Sequence, residues 1–335
     1  MELQTKTLHE KTPIKEVYLG ADPEFLILDK FKILDASLHN FKVTNFGSIG
    51  HDGHKWIAEL RPNYSNDPLQ IIQNMRAIMI SKINHDPKFA NYDFLAGSYY
   101  QEKSLGGHIH FSSNSPDIKQ MARVTNGYLN WTYILDNYVT LCTILLENVD
   151  EGKKRRHSGD YGFYGDWRPQ SWGFEHRTCS SWISSPHIAA AILCLSKVVM
   201  HEILNNPNFP FRVKDCYDDF HYMKVDKLRS RFPEIWCDIQ KMSLYGKYKP
   251  YIDLIYNFVS KRKNWCSSNK KLKESWGIIN HKEEMPVNYP RFKSISMDSI
   301  WGSSLGEKRP ERKGKGWNDY GKYKSLFDGS DYTGD

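Results

Sequence analysis

Scarcity sets the first bounds on this chain. Its 335 residues include six cysteines, Cys142, Cys179, Cys194, Cys216, Cys237 and Cys266, widely separated and without a Cys-x-x-Cys pair. That spacing gives no support to structural zinc, and a reduced, intracellular protein is the simplest expectation. A membrane span is not expected either. The best membrane candidate, residues 128–149, is interrupted by Asn130, Asp136 and Asn137, so an amphipathic core helix is expected there. Residues 1–15 are polar and carry no apolar signal core, which adds to the expectation of a soluble, cytoplasmic protein with no membrane partner. Neither an internal repeat nor a clear linker is evident.

What is present is a chain with 40% hydrophobic residues, enough to bury a sizeable core and to exclude a disordered protein. The formal charge of +7 is spread along it, with richer patches at 153–156, 261–273 and 308–315. Such a balance favours anionic partners, a nucleotide, an acidic substrate or nucleic acid, without choosing among them.

The chemistry starts at Gly106-Gly107-His108-Ile109-His110-Phe111-Ser112. In a strand, alternate side chains share a face, so His108 and His110 point one way while Ile109 and Phe111 pack the other. The same i, i+2 pattern recurs as Asp22 and Glu24 in 17–28, Glu59 and Arg61 in 56–62, and Glu175 and Arg177 in 173–179. A sheet face crowded with these acids is costly to desolvate unless something neutralises them, and divalent metal is the usual agent. The expectation is a sheet whose concave side binds metal and an anionic ligand.

Between these segments, Pro23 should sit at an edge or bulge because it cannot donate to a ladder. A short strand is expected at 32–36 and another near 93–100. Ser65-Asn66-Asp67-Pro68 reads as the start of a helix over 69–83, and Ser185-Pro186 as the start of one over 188–204. Residues 151–170 turn basic and aromatic, and read as a lid loop over a phosphate-bearing ligand. Residues 209–265 are helix-leaning without evident chemistry, 269–273 reads as a solvated turn, and 303–335 as an irregular basic tail. One catalytic domain over 1–302 is expected, with its motifs in 17–190 and a helical part in 186–280.

Gly20-Ala21-Asp22-Pro23-Glu24-Phe25, Gly107-His108-Ile109-His110-Phe111-Ser112 and Phe174-Glu175-His176-Arg177 resemble, in order, the active-site strands of the glutamine-synthetase and glutamate-cysteine-ligase superfamily of carboxylate-amine ligases. Glu59-Leu60-Arg61-Pro62 and the Gly-Tyr-Arg loop are most similar to its phage-encoded amidoligase branch. The resemblance implies an α+β fold, a glutamine-synthetase-like antiparallel sheet with a concave catalytic face and helices on the other. It also implies ATP and two or more Mg2+ or Mn2+ ions, with a small-molecule or peptide carboxylate and an amine as substrates. By the same resemblance Glu24 and Glu59 hold one metal, and Asp22, His108 and Glu175 a second. His110 lies near the nucleotide phosphates, with Arg61 and Arg156 as further nucleotide-binding residues. Arg177, with Arg168 or Arg156, steadies the phosphoryl group. A nearby carboxylate must accept the proton of the amine, and Asp52 or the neighbourhood of Glu59 could supply it.

Two other classes compete. A zinc or iron hydrolase or oxygenase uses the His-x-His pair and a glutamate but leaves the other polar pairs idle. A nucleic-acid-binding or structural protein uses the basic tail, yet the tail carries no recognised module.

Overall fold

One long strand organises the sheet. β1 (Val17–Asp29) alternates apolar residues, Val17, Leu19, Ala21, Phe25 and Ile27, all buried, with the polar series that carries Asp22 and Glu24. It is followed by β2 (Lys32–Ile33), β3 (Ser48–His51), β4 (Ala58–Arg61), β5 (Asp93–Leu95), β6 (Tyr99–Tyr100), β7 (Lys103–Ser104), β8 (Gly107–Ser113), β9 (Trp167–Gln170) and β10 (Gly173–His176). The computed structural model describes residues 14–39, 48–51, 54–116, 118, 129–159, 161–264 and 272–278. All belong to the first of the chain's two compact units, Met1–Arg291, so the basic tail at 303–335 lies outside the described residues.

The eight-stranded sheet runs β3-β4-β1-β8-β10-β9, antiparallel throughout and open at both edges, with β2 and β5 pairing the far end of β1. β6 and β7 form a separate hairpin. Pro23 is not at the sheet edge. It falls where β1 changes partners: its register mate is Gly107, the first residue of β8, and Glu24 opens the pairing to β4. A missing N–H is tolerated at that hand-over.

Helices cover one face. They are α1 (Pro68–His85), α2 (Leu129–Leu135), α3 (Leu141–Ile144), α4 (Val149–His157), α5 (Pro186–Asn205), α6 (Tyr217–His221), α7 (Val225–Lys241), α8 (Tyr245–Ser260) and α9 (Leu272–Ser275), with a π-helical turn, Asp136–Thr140, joining α2 to α3. Two helix starts follow the sequence expectation: Asp67 accepts from Leu69 N at 3.0 Å, Ser185 from Ile188 N at 3.2 Å, and each cap precedes a proline. The apolar side of β1, β8 and β10 packs with α1 and α5 in the main core. Among the described residues, α5 is long and apolar enough to cross a membrane, but nearly all of it is buried within the fold. On the other face of β1, the polar series ends at Glu24. Leu26 and Leu28 continue it into a smaller cluster with Ile57, Leu95 and Leu105, which closes that end of the face.

The expected lid over 151–170 is corrected. Its first part is α4, whose cap Asn148 accepts from the N–H groups of Asp150 and Glu151. Acids occupy its first turn and Lys154 to His157 its last, a distribution that complements the helix dipole. Residues 161–166 form a tucked loop in which Tyr161, Phe163, Tyr164 and Asp166 are all buried, and 167–170 is strand β9. The solvated turn expected at 269–273 is corrected at its end, where Lys273 opens onto α9 and donates to the carbonyls of Phe89 and Ala90 at 3.0 and 2.7 Å.

Candidate active site

Register brings the polar pairs together. Asp22 stands opposite His108, Gly20 opposite His110, His110 opposite Glu175, Glu175 opposite Arg168, and Glu24 opposite Glu59. Five strands thus contribute to one continuous polar wall, on the side of the sheet away from the main core. Gly20 is bare for a reason: a Cβ there would lie 3.3 Å from both Cβ and Nδ1 of His110, whose ring crosses over it. At Gly106 a Cβ would fall 2.3 Å from His108 Nε2.

At the centre, ligand atoms of Asp22, His108 and Glu175 all lie within 4.8 Å of one another. His108 Nδ1 is 3.5 Å from Asp22 Oδ1 and 3.4 Å from Glu175 Oε1, and His110 Nε2 is 3.1 Å from Asp22 Oδ1. These approaches are close but not aligned as hydrogen bonds. Asp22 Oδ1, His108 Nε2, His110 Nε2 and Glu175 Oε1 are all buried without a hydrogen-bond partner. Burial opposes a charge on His108, yet Asp22, Glu175 and Glu24 outweigh it and lift its pKa to about 9. Burial likewise disfavours the Asp22 carboxylate, but His110 and His108 hold it well below the usual carboxylate range.

Guanidinium groups surround the acids. Glu175 Oε2 accepts from Arg168 Nε at 2.6 Å and from Gln170 Nε2 at 3.1 Å, while Arg177 Nε stands 3.3 Å from Oε1. Arg177 follows the last residue of β10 rather than lying on it. Arg61 clamps Glu59 with two bonds, at 2.8 and 3.0 Å, and also donates to the His51 carbonyl at 3.2 Å. Glu24 accepts from Gly106 N at 2.5 Å and from the Tyr161 hydroxyl.

The expected residues Asp22, Glu24, Glu59, Arg61, His108, His110, Arg168, Glu175 and Arg177 therefore share the wall. Arg156 does not join it. Its fully buried guanidinium makes a two-pronged pair with Glu147, at 2.9 and 3.1 Å, and also contacts Met223, between α4 and the turn before α7. Asp52 lies outside the described residues. Three participants escaped the sequence reading: Gln170, Trp172 and Tyr161. Gln170 stands two residues after Arg168, the spacing that marked the other pairs. Trp172 packs its ring 5.1 Å from that of His110. Tyr161, from the loop, carries no sequence signal of its own.

The donor set fits a divalent cation. Two carboxylates and an imidazole, close together and with oxygen and nitrogen atoms that no protein donor or acceptor satisfies, match the ligands of a divalent metal ion. The chain belongs to the phage phiEco32-like COOH.NH2 ligase-type 2 family, which it matches over residues 19–278. It is accordingly an enzyme, an ATP-dependent ligase that forms carbon–nitrogen bonds. Among solved structures it is similar to apo GmaS without ligand, at 9% identity over 74% of this chain and 70% of that one, with a TM-score of 0.43. A novel glutamine synthase homologue shares 11% identity over 73% and 71% of the two chains, with a TM-score of 0.38. Plasmodium falciparum glutamine synthetase shares 13% over 60% and 54%, with a TM-score of 0.35. No curated protein matches the sequence.

Proposed function

We propose that the enzyme activates a substrate carboxylate with ATP as an acyl phosphate and passes the acyl group to an amine. A carboxylate oxygen attacks the γ-phosphorus and ADP leaves; the amine nitrogen then attacks the acyl carbon, the C–O bond to phosphate breaks, and a proton is lost from nitrogen. The observation that carries this reading is the convergence of Asp22, His108 and Glu175, with their unsatisfied buried atoms, beside three arginines on one wall.

Asp22, His108 and Glu175 would hold one Mg2+ or Mn2+, which when bound supplies positive charge against the phosphate oxygens. A second ion at Glu24 and Glu59 requires Arg61 to release Glu59, since that guanidinium now occupies both carboxylate oxygens. Arg177 and Arg168, oriented by Glu175, face the phosphoryl group in transit and stabilise its equatorial oxygens. His110 and Arg61 bind the nucleotide phosphates. Asp52 is the group assigned to take the amine's proton.

Phosphate release from ATP with Mg2+, screened against carboxylates and amines, tests the reading. Hydroxylamine in place of the amine should trap the activated carboxylate as a hydroxamate, with one phosphate released for each. Tight zinc and bond hydrolysis without a nucleotide would overturn the proposal in favour of a hydrolase.

A further inference from the structure

Tyr161 is the side chain on which separate parts of the site meet. It is buried, 5% exposed, in the loop after α4. Its hydroxyl donates to Glu24 Oε2 on β1, and its ring meets the His108 ring edge-on, with centroids 5.1 Å apart at 77°. The Arg177 guanidinium stands 5.2 Å from the centre of the same ring and that of Arg155 5.3 Å. A Cβ on Gly106 would come within 2.8 Å of the ring, so that glycine leaves room for it.

The loop is built to hold the ring still. Gly162, at a φ of +91°, has no side chain where Arg155 lies, and a Cβ there would fall 2.1 Å from that guanidinium. Arg155 is itself fixed, donating to the carbonyls of Leu105, Thr178 and Cys179 at 2.9–3.0 Å. Asp166 closes the loop: it accepts from Gly162 N at 2.7 Å, its carbonyl accepts from Arg177 N at 3.0 Å, and its carboxylate lies 3.8 Å from the Arg177 guanidinium. A phenylalanine would fill the same space. The hydroxyl is needed because a buried carboxylate that loses a donor carries the desolvation cost itself.

We infer that Tyr161 is a positioning residue of the ligase site, its hydroxyl fixing Glu24 and its ring fixing Arg177, so that one side chain sets the acidic and the guanidinium halves against each other. The inference rests on the ligase reading above. Its two parts separate by substitution. Tyr161→Phe keeps the ring and removes the hydroxyl. Mn2+ should then bind about tenfold more weakly, the scale for losing a support to a metal ligand. Tyr161→Leu removes both, and kcat should fall as well, by about a hundredfold, towards that of Arg177→Lys.

The measurements are Mn2+ affinity from the electron paramagnetic resonance signal of free Mn2+, kcat and KM for ATP, and thermal midpoint, on the full chain. Wild-type Mn2+ affinity in Tyr161→Phe overturns the role of the hydroxyl. Losses in both variants that only track the fraction unfolded overturn positioning in favour of simple packing. If the parent protein releases no phosphate from ATP, the ligase reading falls, while the Mn2+ measurement still decides whether Tyr161 supports Glu24.

Discussion

The two faces of the sheet each carry buried aspartate and histidine, and they treat them differently. On the helix-packed side, Asp136 from the π-helical turn reaches His176 of β10, with Oδ1 2.8 Å from Nε2. The same oxygen accepts from Thr140 Oγ1 at 2.9 Å, and Oδ2 accepts from Gly165 N at 2.5 Å. His176 Nδ1 alone in that group lacks a hydrogen-bond partner. On the polar wall, Asp22, His108, His110 and Glu175 stand 3.1–3.5 Å apart, and a buried atom of each is left unsatisfied. Residue types are shared, and although Asp136 and His176 are fully buried while Asp22 and His110 are only half-buried, it is alignment that separates the two groups. A carboxylate whose oxygens are each met by a donor is framework, whereas a crowd of acids and imidazoles held near one another without bonding is prepared for something else.

The comparison can be broken most sharply at Asp22. Asp22→Asn should lower kcat/KM for amide formation by about a thousandfold or more yet shift the thermal midpoint by only about 3 °C; a large loss of stability would make the two faces alike. The reverse holds for Asp136→Asn. Breaking that buried pair should cost about 3–5 kcal/mol, read by urea unfolding, with activity per folded molecule largely kept. Arg177→Lys should lower kcat by about a hundredfold, because an ammonium cannot reproduce the planar fork.

Acidity provides a subtler contrast. Burial opposes the charged His176, but Asp136 outweighs it and lifts its pKa to about 10, from 6.5. A pKa raised on folding means stability that is complete below about pH 6.5 and is lost as pH climbs through 10. His108, lifted to about 9, contributes with the same sign. A bound cation needs the neutral imidazole, so saturating Mg2+ should cancel the His108 share of the slope between pH 6.5 and 9 and leave that of His176. Equal slopes with and without Mg2+ would count against ligation by His108. The smallest effect is expected at Arg168, which is partly exposed and shares Glu175 with Gln170 and Arg177: Arg168→Ala should lower kcat by about tenfold.

The wall was readable in the sequence because strand geometry converts i, i+2 spacing directly into a shared face, and Asp22/Glu24, Glu59/Arg61, His108/His110 and Glu175/Arg177 all obey it. Helix starts at Asp67-Pro68 and Ser185-Pro186 were equally local. What was not readable depends on partners distant in the chain. Arg155 and Arg156 are adjacent in a basic run, and only the packing of α4 sends one to the Leu105, Thr178 and Cys179 carbonyls and the other to Glu147. Asp136 read as an interruption of an apolar run, because its partner His176 lies on another element. The α4 helix itself was legible, from the Asn148 cap and from acids preceding bases, but the glycines and tyrosines that follow it suggested a loop throughout.

β1 serves β2, β4, β5 and β8, and the last of these lies far along the chain. During synthesis one flank of this strand must wait, exposed, through all the sequence up to β8, and closing so wide a loop is entropically slow. Glu175 arrives later still, on the last strand among the described residues. A nascent chain therefore carries Asp22 and His108 well before Glu175 can join them, and the three come together only once the β9–β10 hairpin pairs with β8.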